Sequence, residues 1–362
     1  MVPTSPIEPP DIAALALLTQ RPPLLDVRAP AEFALGQLPN SFNAPILNDA
    51  ERKRVGNTYK QQGHDAAVAV GHRLVKGVVK DQRIAQWREF CSEHPDAMVM
   101  CWRGGQRSAL AQQWLAEAGL TQQRVSGGFK ALRNACLTVL DNPNKNWWLV
   151  SGRTGSAKTV LIQDLDTSID LEGLANHRGS AFGRRLSPQP TPVTFENILA
   201  VEYLQHASNT LVVEDESRTI GRLGLPLAWH AQMQQAPVAL VEVTQEERIE
   251  HIHKEYVVDA LGEHTAAGLP ASALQAHYEE AVSRIQRRLG GQRTQQLSQL
   301  IQQAFAGQAN HRDWIRYLLR EYYDPMYDFQ LQRKLHRVQF RGSRDEVLAF
   351  LQSDLQSRSE SP

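Results

Sequence analysis

The sequence has few cysteines and no long hydrophobic run. Its three cysteines, Cys91, Cys101 and Cys136, form neither a metal-binding spacing nor a disulfide framework. They suit a reducing compartment, in which one thiol can stay reactive. No apolar stretch is long enough to cross a bilayer, and residues 1–6 lack the basic and apolar regions of a signal peptide. We therefore expect a cytoplasmic protein that does not bind membranes.

The formal net charge is zero, because 39 Lys and Arg residues balance 39 Asp and Glu residues. Any nucleic-acid partner must then be contacted through local basic patches. With 362 residues, of which 42% are hydrophobic, the chain is too long for one ordinary domain and can fill two or three cores.

One cysteine stands at the end of an apolar run and opens a glycine-containing loop, Cys-Trp-Arg-Gly-Gly-Gln-Arg-Ser, at residues 101–108. Residues 97–100 predict a buried strand, and the pattern from Ser108 to about residue 118 predicts a helix with Ser108 as its N-cap. Backbone N–H groups and the helix N-terminus would favour a thiolate at Cys101, and Arg107 could grip an oxyanion through two hydrogen bonds. A buried structural cysteine is the alternative. The predicted catalytic residue is Cys101, and the predicted anion-binding residues are Arg103, Gly104, Gly105, Arg107 and Ser108.

A second apolar strand, Leu-Leu-Asp-Val-Arg at residues 24–28, precedes this loop, and Gly-Gly-Phe follows it at residues 127–129. Together these motifs resemble a rhodanese-type sulfurtransferase domain over about the first 140 residues, in which the cysteine would carry sulfur or selenium. Five residues separate Cys101 from Arg107, one more than in most rhodaneses and the same as in the related phosphatases. The wider loop suits a tetrahedral group, so we expect an oxyanion that carries the chalcogen.

A second anion-binding loop follows the apolar residues 147–150. Residues 152–159 nearly match the P-loop pattern of glycine, four residues, glycine, lysine and serine or threonine. Ala157 replaces the second signature glycine and disfavours a positive φ. We therefore expect phosphate or diphosphate binding without ordinary nucleotide hydrolysis. The predicted phosphate-binding residues are Gly152, Thr154, Gly155, Lys158 and Thr159, with the Thr159 hydroxyl facing Mg²⁺.

Polar residues follow other predicted strands. A glycine-rich loop within residues 170–183 predicts substrate contacts from His177, Arg178, Gly179 and Ser180. The apolar residues 210–213 end at Glu214 and Asp215, which could bind Mg²⁺ or form a solvated strand exit. Residues 237–243 predict a further core strand. Alternating strands and helices predict a P-loop α/β sheet.

The C-terminal third has a helical pattern and several basic clusters. Arg312, Arg316 and Arg320 recur at four-residue spacing and share one helix face, which predicts contact with nucleic-acid phosphates. The alternative is a solvated face paired with local carboxylates. Tyrosines lie among the basic residues and could stack on unpaired bases. Further basic residues lie nearby: Arg284, Arg287, Arg288 and Arg293.

The whole chain is similar to the bacterial tRNA 2-selenouridine synthase family. The motifs that carry this resemblance are the cysteine loop, residues 128–133, residues 170–183, Glu-Asp-Glu-Ser-Arg at 214–218 and Tyr-Tyr-Asp-Pro-Met-Tyr at 322–327. The resemblance implies transfer of a geranyl group from geranyl diphosphate to the wobble 2-thiouridine of tRNA, and then exchange of the geranylthio group for selenium from selenophosphate. It implies Lys, Glu and Gln tRNAs as substrates and a selenophosphate-producing enzyme as a possible donor. No tightly bound cofactor is expected, apart from possible Mg²⁺.

The sequence thus predicts an α/β protein with an N-terminal rhodanese-like domain (1–140), a P-loop NTPase-like α/β domain (145–275) and a helical C-terminal region (276–362) that could bind tRNA. The resemblance implies that Cys101 handles selenium in the first domain. Binding of the diphosphate of geranyl diphosphate by Lys158 and Thr159 is inferred from the P-loop pattern, and the P-loop could instead hold tRNA phosphate or a regulatory nucleotide. Three other functions stay open: a sulfurtransferase, a phosphatase-type oxyanion hydrolase and a non-catalytic tRNA-binding protein.

Overall fold

The computed structural model describes residues 12–359, which form two compact units. The first contains the described residues up to Asn142 together with Pro190–Gln205. The second contains Pro143–Gln189 and the described residues from His206 onward. The division into three segments at residues 140, 145 and 275 remains a prediction.

The first unit is built on a four-stranded parallel sheet. Its elements are β1 (Leu24–Asp26), β2 (Ser41–Asn43), β3 (Met98–Met100), β4 (Gln123–Arg124), α1 (Ile12–Gln20), α2 (Pro30–Leu35), α3 (Asp49–Gln62), α4 (His64–Leu74), α5 (Val78–Glu93), α6 (Gln106–Glu117) and α7 (Gly128–Asp141). The strand order is β2-β1-β3-β4, and Leu25 in β1 pairs with Phe42 in β2 and with Val99 in β3.

Apolar residues make β1 and β3 the core of this unit, as expected for parallel strands that are covered on both faces. Leu25 and Val99 are fully buried, and the rings of Trp87 and Trp114 stack against each other at 6.0 Å. Their cluster also contains Cys101, which therefore lies at the edge of the hydrophobic core.

A buried ion pair connects β1 to the Gly-Gly-Phe segment. The Arg28 guanidinium lies 2.7 Å from the Asp26 carboxylate, and both side chains are completely buried. The same guanidinium lies 3.8 Å from the centroid of the Phe129 ring, at the start of α7. These contacts hold the two motifs of the sequence against each other, and Phe129 follows the glycines that contact the cysteine loop.

The second unit has a five-stranded parallel sheet and many helices. Its strands are β5 (Asn146–Gly152), β6 (Ser168–Ile169), β7 (Thr210–Glu214), the hairpin strands β8 (Thr219–Ile220) and β9 (Leu223–Gly224), β10 (Val238–Val241) and β11 (Val338–Gly342). The helices from here to the C-terminus are α8 (Lys158–Gln163), α9 (Leu171–Leu174), α10 (Pro192–Gln205), α11 (Leu227–Met233), α12 (Gln245–His253), α13 (Ala260–Ala266), α14 (Ala271–Leu289), α15 (Gly291–Phe305), α16 (His311–Leu318), α17 (Asp324–Gln332) and α18 (Arg344–Ser359), with π-helical turns at Lys254–Asp259 and Leu319–Tyr323 and a 3₁₀ turn at Leu335–Arg337. Of these, α10 belongs to the first unit, where it packs on α1 and α7.

The sheet order is β11-β10-β5-β7-β6, so the strand before the P-loop is central. The strands predicted around residues 147–150, 210–213 and 237–243 are confirmed as β5, β7 and β10. The predicted helical C-terminal region also contains β11, which pairs with β10 at one edge of the sheet. Sequence patterning missed β11 because its five residues lie in a basic stretch and its residues alternate between partly buried and exposed.

Two apolar cores support the second unit. One lies on the sheet around Val150, Val212 and Ala239, and the other joins α12 to α16 around Tyr278 and Trp314. Across residues 12–359, no helix combines the length and the apolar character needed to cross a membrane.

Candidate functional site

The cysteine of the first loop lies immediately after β3 and is buried, with 2% of its surface exposed. Its thiol is 3.3 Å from the Ser108 hydroxyl, which donates to the Gly105 carbonyl at 3.0 Å. The Cys101 carbonyl accepts the N–H of Phe129 at 2.9 Å. The cysteine is thus fixed between the end of the strand and the first turn of α6.

Two glycines explain the tight path of this loop. Gly104 and Gly128 have φ values of +64° and +60°, which favour glycine. A Cβ on Gly128 would lie 2.3 Å from both the Cys101 carbonyl oxygen and the Gly104 nitrogen. The backbones of the two segments therefore approach so closely that no side chain fits between them.

The helix after the loop begins earlier than the sequence predicts. Gly105 is the N-cap and α6 starts at Gln106, so the prediction of Ser108 as N-cap is wrong. Ser108 instead lies in the first turn, where its hydroxyl contacts the thiol. No side chain caps this helix, so its first N–H groups have the character of an anion-binding site beside Cys101.

The arginines of the loop have different surroundings. Arg107 forms a bidentate ion pair with Glu32, with N–O distances of 2.5 and 3.2 Å, and Arg52 reaches the same carboxylate at 3.0 Å. Burial would raise the pKa of Glu32, but these two arginines outweigh it and lower the pKa below its usual value. Arg103 is exposed and has no ion pair within residues 12–359. An incoming oxyanion must therefore displace Glu32 to gain both Arg107 hydrogen bonds.

A small apolar pocket of about 150 Å³ adjoins this loop. Gln106 and Arg107 form part of its wall, and the rest comes mainly from apolar residues of α3, α4 and α6, such as Val55, Val68 and Leu110. Trp114 lines the pocket and belongs to the same core cluster as Cys101. The buried thiol thus has an apolar cavity nearby.

The P-loop follows the central strand β5, as the sequence predicts. Lys158 Nζ donates to the Gly152 carbonyl at 3.0 Å, and Arg248 holds the Thr154 carbonyl at 2.8 Å. Gly155 has φ +83°, and Ala157 has φ +57° and ψ +39°, in the left-handed region. Ala157 therefore adopts the strained conformation that the signature glycine would adopt freely.

Three carboxylates lie beside the end of this loop. Thr159 Oγ1 donates to Glu172 Oε2 at 3.1 Å, and the Glu172 N–H donates to Glu214 Oε2 at 3.2 Å. Burial raises the pKa of Glu172 to about 8, and the neighbouring Glu216 carboxylate adds to the rise while Lys158 opposes it. Burial also raises the pKa values of Glu214 and Glu216. Glu172 can consequently exchange a proton near neutral pH.

The two predicted Mg²⁺ ligands separate in the structure. Asp215 is bound to Lys334 Nζ at 2.5 and 2.6 Å and accepts the Ser151 hydroxyl at 2.5 Å, so its oxygens are occupied. Glu214 is 1% exposed, and its Oε1 has no hydrogen-bond partner in the part of the chain that the structure describes. Within residues 12–359, no three His, Cys, Asp or Glu residues are arranged to hold a metal ion.

The predicted substrate loop divides between two roles. Arg178 is buried and pairs with Glu255 at 3.0 Å and Glu263 at 3.3 Å, so it stabilises the helical core. Its neighbours His177, Gly179 and Ser180 line a cavity of about 1050 Å³. Burial and nearby arginines lower the pKa of His177 to about 4, so its ring is neutral.

The arginine row of α16 and the turn after it already has carboxylate partners. Arg312 contacts Glu250 at 2.8 Å, Arg316 contacts Glu246 at 3.1 Å, and Arg320 contacts Glu321 at 2.7 Å. All three arginines are at least one-third exposed. Their contact with tRNA remains a prediction, and the structure provides the local ion pairs of the alternative interpretation.

Several site residues escaped the sequence analysis. Glu172 and Glu216 join the P-loop, and Lys334 neutralises Asp215. The only sequence signal for the carboxylates was their position after predicted strands. Lys334 belongs to a basic stretch of the sequence, but nothing indicated its pairing with Asp215, which lies 119 residues away.

Comparison with known families covers both units. A family model described as the tRNA 2-selenouridine synthase AAA domain matches residues 145–358, and a rhodanese-like domain model matches residues 11–135.

Three curated relatives are all named tRNA 2-selenouridine synthase. The Azotobacter vinelandii protein is 46% identical over 91% of this chain and 93% of its own length. The Sulfurovum protein is 44% identical over 93% and 96%, and a Pseudomonas aeruginosa protein is 44% identical over 91% and 93%. The chain therefore belongs to the tRNA 2-selenouridine synthase family of tRNA-modifying transferases, with a rhodanese-like unit followed by a P-loop unit.

Proposed function

We propose that this protein converts the wobble 2-thiouridine of tRNA into 2-selenouridine in two steps. The P-loop unit transfers a geranyl group from geranyl diphosphate to the thiocarbonyl sulfur. The rhodanese-like unit then replaces the geranylthio group with selenium from selenophosphate. The observation that carries this proposal is the presence of two different loops that lead from a strand into a helix N-terminus, one at Cys101 and one at Lys158, in a member of this family.

In the first step, the sulfur of 2-thiouridine attacks C1 of the geranyl group. The C–O bond to the diphosphate breaks, and the diphosphate leaves with the bonding electrons. Lys158 and the N–H groups of the P-loop stabilise the charge that builds on the leaving group. Alkylation of sulfur also releases the N3 proton of the uracil ring. Glu172, which exchanges a proton near neutral pH beside Thr159, is suited to accept that proton.

In the second step, alkylation has turned a poor leaving group at C2 into a good one. The selenium of selenophosphate adds to C2, geranylthiolate leaves with the C–S electron pair and takes a proton, and water cleaves the Se–P bond to release phosphate. The N-terminus of α6, Arg103 and Arg107 hold the phosphate of the donor. The Cys101 thiol lies beside this anion site, next to the selenium of the donor, and the apolar pocket beside Arg107 accommodates the departing isoprenoid chain.

Thr159 and Glu214, whose Oε1 has no hydrogen-bond partner among the described residues, would hold Mg²⁺, which would supply positive charge to the diphosphate. Asp215 does not fit this role, because Lys334 occupies its carboxylate. Lys, Glu and Gln tRNAs and a selenophosphate-producing enzyme are the proposed partners.

Two single variants test the division of labour. Cys101→Ser should leave geranylation intact and abolish selenation, because a hydroxyl cannot replace the thiol that contacts the selenium of the donor. Lys158→Ala should slow geranylation about a hundredfold, which is roughly 3 kcal/mol, and should spare selenation of pre-geranylated tRNA.

Single-turnover rates for each step, read by mass spectrometry of tRNA nucleosides, give both results. Normal selenouridine formation by Cys101→Ser would remove this residue from the mechanism. An equal loss in both steps for Lys158→Ala would assign the P-loop to tRNA or to structure.

A further inference from the structure

The cavity of about 1050 Å³ in the second unit has a one-sided charge distribution. Its wall includes histidines and arginines, and none of its lining residues carries a carboxylate. The arginines come from three separate segments: Arg184, Arg185, Arg222, Arg284 and Arg288. A cavity lined in this way attracts phosphate groups, and its volume is at the upper end of the range for small-molecule sites, so it has room for more than a single small anion.

The same wall offers surfaces for a planar ring. Tyr322 and Tyr323 line it, next to Ile285 and Met326. The neutral His177 ring can both donate and accept a hydrogen bond. Arginine beside tyrosine and apolar side chains is the combination with which proteins bind unpaired nucleotides, through phosphate contacts and base stacking.

Two polar atoms of this wall are buried without a hydrogen-bond partner among the described residues: His177 Nδ1 and Arg185 Nε. Each such group costs about 1–3 kcal/mol, so a ligand that reorganises the wall and supplies partners would be favoured. Arg288 forms no ion pair with any residue in the described part of the chain, whereas Arg184 and Arg284 share Glu280.

We propose that this cavity binds the uridine to be modified, rotated out of the tRNA anticodon loop, with its flanking phosphates on the cavity arginines. The inference rests on the proposed function, which makes tRNA the substrate. An enzyme that reacts with a base must bring that base out of its stack, and a dedicated pocket receives it.

The position of the cavity fits the chemistry. Gly179 lines the cavity, and a Cβ on it would lie 2.1 Å from Glu172 Oε1. Glu172 in turn accepts the hydroxyl of Thr159 from the P-loop. A base in the cavity would thus have its sulfur near the loop that holds the diphosphate, as attack on the geranyl group requires.

Adjacent arginines on α14 provide a matched test. Arg288 lines the cavity, and Arg287 is also exposed but does not line it. Each is replaced by glutamine in the full-length protein, and binding of an anticodon stem-loop RNA that carries 2-thiouridine is measured over a range of salt. Arg288→Gln should weaken binding about tenfold and reduce the salt slope by about one unit, whereas Arg287→Gln should stay within about twofold.

A second readout reports rotation of the base. A fluorescent base analogue at the wobble position should become brighter when the RNA binds the wild-type protein, since the analogue leaves the base stack. Tyr322→Leu should reduce this increase in fluorescence at saturating protein. Equal RNA affinity and salt slope for the Arg287 and Arg288 variants would overturn the proposal. So would weaker binding of geranyl diphosphate by Arg288→Gln with unchanged RNA binding, because the cavity would then hold the prenyl donor.

The activity of the wild-type enzyme shows whether this proposal or the proposed function has failed. If it geranylates and selenates the stem-loop while the two arginine variants bind RNA equally well, only the cavity assignment is wrong. If it catalyses neither step and Arg288→Gln still loses RNA affinity and salt slope, the proposed function fails and the nucleotide site stands. Thermal unfolding of both variants controls for loss of structure.

Discussion

Ala157 is the position where the P-loop departs from its usual sequence, and its backbone gives a quantitative prediction. The residue lies at φ +57° and ψ +39°, immediately before α8. An L-residue in this region costs about 1–2 kcal/mol relative to a right-handed conformation. Glycine adopts it freely, but glycine also increases the entropy of the unfolded chain by about 0.4–1 kcal/mol. Ala157→Gly should therefore raise the free energy of unfolding of the second unit by about 0.5–1 kcal/mol.

Ala267→Gly is the matched control. Ala267 also lies at a helix boundary, where it is exposed, but its φ is −83°. Glycine therefore relieves no backbone strain there and should destabilise the unit by up to about 1 kcal/mol. Urea unfolding followed by tryptophan fluorescence measures both variants. Geranylation by Ala157→Gly should remain intact, since Lys158 and Thr159 are unchanged. Equal destabilisation by Ala157→Gly and Ala267→Gly would show that the backbone of Ala157 is not strained.

Three further predictions concern the proton acceptor, the apolar pocket and the arginine row. Glu172→Gln should slow geranylation at least about a hundredfold and remove its rise with pH through about 8. Because the pKa of Glu172 is raised from 4.5 to about 8 in the folded protein, its contribution to stability is full below its usual pKa and is lost as pH rises through about 8. This variant should therefore also unfold with less pH dependence between about pH 4.5 and 8. Gly71→Leu, within α4, should fill the apolar pocket. This variant should slow the exchange of a geranylthio group for selenium about tenfold and leave the exchange of a methylthio group unchanged. Equal slowing of the two exchanges would exclude the pocket as the isoprenoid site. Replacing Arg312, Arg316 and Arg320 together with glutamine should lower the salt slope of tRNA binding by about one unit per phosphate contact, and an unchanged slope would assign them to their local ion pairs.

Local sequence patterns predicted the features that depend on neighbouring residues. The strand before Cys101 and the strand before the P-loop are short apolar runs, and each is followed by glycines that the tight loop requires. Such signals lie within about ten residues. The N-cap was misplaced by three residues, because Ser108 is a good N-cap residue that is used here to contact the thiol.

Contacts between distant residues could not be predicted in the same way. Arg107 looked free to grip an oxyanion, yet Glu32, 75 residues earlier, already holds it. Asp215 looked like a metal ligand, but it pairs with Lys334. Both partners are brought together by the fold, so the sequence gives the charge of each residue but not the charge of the site that it forms.

Contacts between residues that are distant in the sequence also decide which basic surface can bind RNA. Arg312 and Arg316 are regularly spaced along α16, but α12 places Glu250 and Glu246 against them and offsets their charge. The cavity arginines lie in three segments with no regular spacing, so they form no pattern in the sequence, and Glu280 pairs with two of them, Arg184 and Arg284. Since RNA must compete with every carboxylate already in contact with an arginine, a cavity arginine without such a contact offers phosphates the stronger positive potential. Arg288, which has no ion pair within residues 12–359, should therefore contribute more to the free energy of RNA binding than Arg312 or Arg316 on α16.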